Sequence, residues 1–272
     1  MLKEVNNSIE ASWFKKHLDK IEENRELWNG NFVSHVVPSI YPAYCKIFHP
    51  IYEDLSIKDH SISWNDVAKR DAKPSDDPVD ALLAKSVTVY GGEYDPENTR
   101  RVKWQDLAAE YGLVFPSEFN VDSFSRNFRG FSFPRYLIGP EEGNLNSETC
   151  REIVKSIAIA TSDFKASQKC VFHYDLIATQ TCENDKLFEG QLIDVFKTVD
   201  LEDVYTTPTR WWRADRSWFV CSDWDLSFTL IGGPETLVDL LVSNAELDSI
   251  RVEPSTRVDF RSDTINPNPR DN

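Results

Sequence analysis

Apolar side chains recur at helical spacing in the first half of the chain. Over residues 8–25 they return every three or four positions, which predicts an amphipathic helix capped by Asn7. Shorter helices are predicted to begin at Trp64 and at Trp104, because each Trp opens a run with helical spacing. Residues 43–52 alternate between two sets of side chains, which predicts a strand.

The second half of the chain mixes strand and helix patterns in an irregular order, and no glycine-rich loop joins a strand to a helix. This order predicts an α+β fold with a mixed or mainly antiparallel sheet and several short helices. The predicted strands cover residues 170–179, 186–188, 217–221 and 226–231, and the predicted helices cover residues 147–160, 192–198 and the stretch after Pro234.

Turn signals at Gly139-Pro140 and Gly143-Asn144 indicate where the chain divides. We expect a helical and irregular half over residues 1–146 and an α+β half over 147–261. Residues 262–272 are predicted to be a flexible tail. A length of 272 residues is compatible with two domains and also with one.

The charge of the chain narrows the choice of partners. Asp and Glu number 45 against 30 Lys and Arg, which gives a formal net charge of −15. This charge disfavours nucleic acid, whose phosphates need basic residues, and favours a basic protein as partner. We expect a cytoplasmic protein without a membrane partner, because no run of 18 apolar residues and no signal-like leader occurs. The five cysteines, without a Cys-x2-Cys pair, are expected to be reduced.

No familiar catalytic string occurs in the chain, and no residue is assigned a catalytic role. Asp223 and Asp225 follow an apolar strand, and this D-x-D pattern resembles the first motif of haloacid-dehalogenase-type phosphotransferases. However, too few residues follow Asp225 to complete that fold, and the next residues alternate as a second strand. The pattern therefore indicates a hairpin turn with solvated aspartates.

Histidine and cysteine side chains are candidate metal ligands, since imidazole and thiolate suit zinc. None of them has the tight spacing of a known zinc site, and residues three apart on a strand point to opposite faces. The sequence therefore predicts no metal and no cofactor. The candidate histidine and cysteine residues are His35, Cys45, His49, His60, Cys170, His173 and Cys182.

The densest unusual feature is a run of Trp and Arg residues followed by an acidic turn. Trp and Arg dominate protein interfaces, so this segment is the predicted binding surface. The other interpretation is that the Trp side chains pack against the sheet while the Arg side chains pair with carboxylates. The predicted binding residues are Arg210, Trp211, Trp212, Arg213, Arg216, Trp218, Asp223, Trp224 and Asp225.

Two stretches of the chain resemble a group of uncharacterised bacterial cytoplasmic proteins. These proteins share an early V-P-x4-A-Y-x4-H-P segment and a late W-W-x2-D-R-x-W segment. The resemblance implies a bacterial, intracellular, single-module protein and carries no activity with it. The matching residues are Val37-Pro38, Ala43-Tyr44 and His49-Pro50 in the first segment, and Trp211-Trp212, Asp215-Arg216 and Trp218 in the second.

Two functional hypotheses follow, and the sequence favours the non-enzymatic one. The first is an acidic protein-binding module, in the manner of an immunity or antitoxin protein that docks a basic partner. It depends on the net charge, on the acidic segments 71–97 and 183–203, and on the Trp/Arg run. The alternative is a small-molecule enzyme whose pocket is lined by the Trp residues and uses Asp223, Asp225, Arg213 or His173.

Overall fold

Contacts within the chain divide it into two units. The computed structural model describes residues 2–5, 10, 12–21, 29–71, 95–126, 128, 132–175, 178, 185–201, 204 and 206–266. The first unit comprises Met1–His49 and Glu141–Ser262, and the second comprises Pro50–Pro140 and Asp263–Asn272. This division differs from the contiguous split at residue 146, because the chain leaves the first unit after His49 and returns to it at Glu141.

The strands in the described part of the chain are short. They are β1 Lys3–Glu4, β2 Ala43–Phe48, β3 Ile51–Asp54, β4 Thr99–Val102, β5 Leu137–Ile138, β6 Lys169–Tyr174, β7 Lys186–Gln191, β8 Arg210–Arg213, β9 Phe219–Cys221, β10 Phe228–Gly233 and β11 Ser249–Val252.

The described helices are also short. They are α1 Trp64–Asp71, α2 Trp104–Glu110, α3 Val121–Ser125, α4 Ser147–Ala160 and α5 Glu235–Val242, with 3-10 turns at Phe14–Lys16, Val33–His35 and Leu192–Asp200. None of the helices in these ranges has the length and apolar character that crossing a membrane requires.

The first unit is built on an eight-stranded sheet with the order β1-β7-β6-β8-β9-β10-β2-β11. Every pair of neighbours in it is antiparallel. The prediction of an α+β fold with a mainly antiparallel sheet and short helices is therefore confirmed. Strand β8, inside the Trp/Arg run, lies between β6 and β9 near the middle of the sheet.

Both faces of this sheet are covered by apolar side chains. On one face, Trp211 and Trp218 belong to a core that also contains Ile153 of α4 and Leu237 of α5. On the other face, Trp212 belongs to a core that contains Trp13 and Phe14 from the first segment of the chain. Because successive strand residues point to opposite faces, the adjacent Trp211 and Trp212 fill both cores at once.

The amphipathic helix predicted over residues 8–25 is not continuous. Within its described part, Glu10 and Ser12 are helical, Phe14–Lys16 form one 3-10 turn, and residues 17–21 are not helical. The backbone there bonds to other segments instead, since Asp19 N–H donates to Ser34 O and Ser39 N–H donates to His17 O. Residues 8, 9, 11 and 22–25 of this prediction lie outside the described residues.

Other predicted elements occur with adjusted ends. Helix α4 is capped by Asn146, whose side chain accepts from Thr149 N–H, so Ser147 is the first helical residue. The strand predicted over 170–179 ends at Tyr174, and the helix predicted near 192–198 is a 3-10 turn. The strands that the sequence did not predict are β1, β4, β5, β8 and β11.

The second unit contains the three-stranded antiparallel sheet β4-β3-β5 and helices α1, α2 and α3. Its buried side chains include Trp104, Phe119 and Phe124. Part of the predicted flexible tail is fixed in this unit, because Asn266 accepts from Val114 N–H and donates to Val114 O, each over 2.8 Å. Residues 267–272 of that prediction lie outside the described residues.

Candidate functional site

Three of the four Trp residues predicted to bind a partner lie in the core. Trp211, Trp212 and Trp218 have no exposed surface. Trp211 packs edge-on against Trp218, and Trp212 stacks on Phe219 at 5.7 Å between ring centres. This placement corresponds to the alternative in which the Trp side chains pack against the sheet. It also means that these three rings do not line an open pocket.

The two later Arg residues of the run are paired at the far end of β8. Arg213 Nη1 lies 3.3 Å from Asp215 Oδ2, and Arg216 Nη2 lies 3.2 Å from a carboxylate oxygen of Glu10. The Arg216 guanidinium also lies 4.8 Å from the centre of the Trp13 ring. The contacts of Arg216 attach the start of the chain to the sheet, whereas the pair of Arg213 with Asp215 is local to the segment after β8.

Arg210 lies in a different group, at the opposite end of β8. It pairs with His173 on β6 and with Cys221 on β9, and directly paired residues point to the same face. Phe14 covers this row, with its ring centre 5.2 Å from the Arg210 guanidinium and 5.6 Å from the His173 ring. The side chain of His173 is completely buried, and that of Arg210 is 11% exposed.

Three carboxylates gather at this end of the sheet, which we call the acidic end and define as Asp175, Asp185 and Asp223. Asp175 directly follows β6, Asp185 directly precedes β7, and Asp223 comes two residues after β9. Antiparallel neighbours run in opposite directions, so strand ends and strand starts meet at one edge. The three carboxylate side chains are 32%, 37% and 23% exposed in this order.

The groups at the acidic end form one chain of polar contacts. His173 Nε2 lies 3.2 Å from Asp185 Oδ2, and His173 Nδ1 lies 3.5 Å from Asp175 Oδ1. Arg210 donates to Asp175 Oδ2 and, over 2.9 Å, to Asp223 Oδ2. Acidic and basic groups therefore alternate from Asp185 to Asp223, with the carboxylates towards solvent and the two bases behind them.

Burial controls protonation around Arg210. It raises the pKa of the Asp223 carboxyl, as does the nearby Asp175, while the guanidinium acts in the opposite direction. Burial also raises the pKa of the Cys221 thiol well above its ordinary value. A thiol that holds its proton is a poor nucleophile, so Cys221 is not suited to covalent catalysis.

His49 and Cys170 do not join this group. His49 Nδ1 lies 2.6 Å from Glu141 O, and its Nε2 lies 2.9 Å from Thr229 Oγ1. Burial lowers the pKa of His49 to about 4, so the ring is neutral and its two nitrogens bond within the core. Cys170 belongs to the core on the helix-covered face, whereas His173 contacts Phe14 on the other face.

The remaining predicted binding residues lie in the turn between β9 and β10. Trp224 is 51% exposed, and Asp225 beside it is exposed as well. Gly143 packs directly beneath this turn, because a Cβ atom on it would lie 2.4 Å from the Cα of Trp224. Glu141 and Glu142, which precede Gly143, are also exposed.

Asp175 and Asp185 were not predicted as members of a site. Tyr174 and Lys186 form the last described residue pair between β6 and β7, and the two aspartates flank that pair. That Asp175 and Asp185 are neighbours can be recognised only once the register of β6 and β7 is known, since the two aspartates are ten positions apart in the chain.

Comparison of the chain with models of protein families, with curated proteins and with solved structures finds no match.

Proposed function

We propose that this chain is a protein-binding module that docks a basic protein on the surface around Trp224. We call this surface the Trp224 surface and define it by Glu141, Glu142, Asp223, Trp224 and Asp225. The observation that supports it is a half-exposed Trp in a tight turn with acidic residues on both sides in sequence. It retains three of the nine binding residues that the sequence predicted.

The turn that carries Trp224 is held by backbone contacts. Leu226 N–H donates to Asp223 O over 2.9 Å and closes the turn. Gly143 N–H donates to Leu226 O over 3.0 Å, which attaches the Glu141–Glu142 segment to it. Asp223 is further fixed by Arg210. A ring presented by an ordered turn loses little conformational entropy on binding, which favours affinity.

Charge supports a basic partner rather than an acidic or neutral one. An exposed Trp is an effective contact for Arg and Lys, because a cation is attracted to the face of the ring. The carboxylates beside it add attraction, and the net charge of −15 accelerates encounter with a basic surface. A basic nuclease neutralised by an immunity-type protein is one partner class with this chemistry.

The test is capture of partners from a lysate of the source organism by the tagged full chain, at low and at high salt, with identification by mass spectrometry. We compare the natural chain with Trp224→Ala and with the matched control Phe164→Ala. Phe164 is an aromatic residue of the same unit that is 79% exposed and lies far along the chain from the turn.

The proposal predicts a basic protein in stoichiometric amount with the natural chain and with Phe164→Ala, released at high salt. Trp224→Ala is expected to retain at least tenfold less of it, as for a residue that contributes about 2 kcal/mol to an interface. Equal capture by Trp224→Ala, or no basic partner at either salt concentration, would contradict the proposal.

A further inference from the structure

We propose that His173, Asp175 and Asp185 form a binding site for a divalent first-row transition cation, with Zn²⁺ as its best-fitting member. Each of the three residues offers one donor atom, and these atoms lie within 4.8 Å of one another. His173 would bind through Nδ1, the nitrogen on the Asp175 side, and the Asp185 carboxylate would have to move from Nε2, which it now contacts over 3.2 Å, towards that side. All three donors could then reach one ion, whose bonds to nitrogen and oxygen are about 2.0–2.2 Å long. The site does not depend on the proposed partner.

The carboxylates alone would be no more than an acidic cluster. The burial and hydrogen bonding of His173 distinguish this group from such a cluster. Its side chain is completely buried, yet its Nδ1 has no hydrogen-bond partner among the described residues. The nearest charged oxygen is Asp175 Oδ1, 3.5 Å away. Buried polar atoms almost always have a partner, so an unpaired buried ring nitrogen 3.5 Å from a carboxylate oxygen is a position where a cation bound by both groups would satisfy it.

The donor set selects the class of cation. Mg²⁺ and Ca²⁺ prefer oxygen donors, whereas imidazole favours zinc and its neighbours. Asp175, Asp185 and Asp223 carry three negative charges against the one positive charge of Arg210, so the group has a net charge of −2 that can compensate a divalent ion. Asp175 and Asp185 are both about one-third exposed, so an ion can reach them from solvent, while the imidazole lies behind them.

Arg210 is a positioning residue in this site, because it orients the carboxylate of Asp175. It donates to Asp175 Oδ2, which leaves Oδ1 of the same carboxylate facing His173. Its other nitrogen is fixed by Asp223, so the guanidinium cannot rotate away easily. Hydrogen bonds of this kind orient ligating carboxylates in metal sites, and their loss commonly weakens binding about 10–100-fold.

The test measures metal uptake by the full chain after treatment with a chelator. Equilibrium dialysis against Zn²⁺, Mn²⁺ and Mg²⁺ is read by elemental analysis, and Co²⁺ is added as a spectroscopic probe of the ligand set. The variants are Asp185→Asn, which keeps the shape of a partly exposed side chain, and Asp175→Asn. The matched control is Asp215→Asn, an Asp at the other end of β8 that is 54% exposed.

We expect one Zn²⁺ per chain, with weaker Mn²⁺ and no Mg²⁺ uptake, for the natural chain and for Asp215→Asn. Asp185→Asn and Asp175→Asn should each bind Zn²⁺ at least tenfold more weakly while their circular dichroism spectra stay unchanged. A thermal shift on adding Zn²⁺ should occur in the natural chain and disappear in both variants. Uptake that is unaffected by both variants would show adventitious zinc, and absent Zn²⁺ uptake or a preference for Mg²⁺ would also overturn the proposal.

Discussion

Arg210 donates a hydrogen bond to Asp223 over 2.9 Å and thereby joins strand β8 to the turn that carries Trp224. The same guanidinium donates to Asp175 at the end of β6. One largely buried cation therefore compensates two carboxylates that belong to different strand ends. Because the side chain of Arg210 is 11% exposed, water can replace these bonds only in part.

Arg210→Met is expected to lower the free energy of unfolding by about 3–5 kcal/mol, since it leaves partly buried carboxylates without their partner. The matched control is Arg213→Met, which removes a more exposed Arg from the other end of β8 and should cost less than about 1 kcal/mol. Urea denaturation of both variants measures the difference. An equal loss of unfolding free energy in the two variants would show that the less exposed pairs of Arg210 stabilise the fold no more than the exposed pair of Arg213.

Gly143→Ala is expected to destabilise the chain and to disturb the Trp224 surface. Gly143 has φ +64°, and an added Cβ would lie 2.4 Å from the Cα of Trp224, a backbone atom that cannot swing aside. The control is Gly112→Ala, which has nearly the same φ of +66° but no atom within 4 Å of the added Cβ. It therefore isolates the backbone strain.

We expect about 1 kcal/mol of destabilisation for Gly112→Ala from backbone strain alone, and at least about 1 kcal/mol more for Gly143→Ala. Thermal denaturation compares the two variants. Trp fluorescence should shift only in Gly143→Ala, because only that change displaces the turn beneath Trp224. If both variants are destabilised by the same amount, the close approach of Gly143 to the turn does not add to the cost of the Ala side chain.

The sequence predicted a helix or strand correctly where the spacing of its apolar residues fits only one kind of element. Helix α4 and strand β10 were found because their apolar spacing is regular and their turns are marked. Strand β8 was not found, because Arg-Trp-Trp-Arg shows no alternation between apolar and polar positions. Both faces of the sheet are covered at β8, so both neighbouring positions are Trp and the period of two is lost.

The two candidate sites differ in how many of their residues could be predicted from the sequence. Asp223, Trp224 and Asp225 lie within one turn, so local residues were sufficient to predict these three members of the Trp224 surface. Glu141 and Glu142 were not predicted, because they join the turn through the contact of Gly143 with Leu226, which is distant in the chain. The group around His173 depends on the register that pairs His173 with Arg210 and places Asp175 beside Asp185. A shift of one residue would move these side chains to the other face, and no local pattern fixes that register.

The unfolding free energy should fall as the pH is lowered from about 6.5 to about 4, in part because of His49. Burial lowers the pKa of this ring to about 4 in the folded chain, from an ordinary 6.5. Between these values the unfolded chain binds one more proton than the folded chain, so acid favours unfolding. The stabilisation by neutral His49 is thus present above pH 6.5 and is lost progressively below it, by about 3 kcal/mol in total.

Urea denaturation at a series of pH values measures this effect as the difference between the natural chain and His49→Gln. The variant is less stable at neutral pH, since it loses bonds to Glu141 and Thr229, but its stability should depend less steeply on pH. The matched control is His60→Gln, the same change at an exposed ring of the second unit. The same slope in the natural chain and His49→Gln would contradict the assignment.

Four of the five cysteines should resist thiol reagents in the folded chain. Burial raises the pKa of Cys45 and Cys150 to about 12, and it raises the pKa of Cys170 and Cys221 well above the ordinary value. All four are free thiols, and at pH 8 almost none of them is a thiolate. With 5,5′-dithiobis(2-nitrobenzoate) we expect at most one fast-reacting thiol per folded chain and five in urea. Two or more fast thiols in the folded chain would show that a part of these cores opens to solvent faster than the whole chain unfolds.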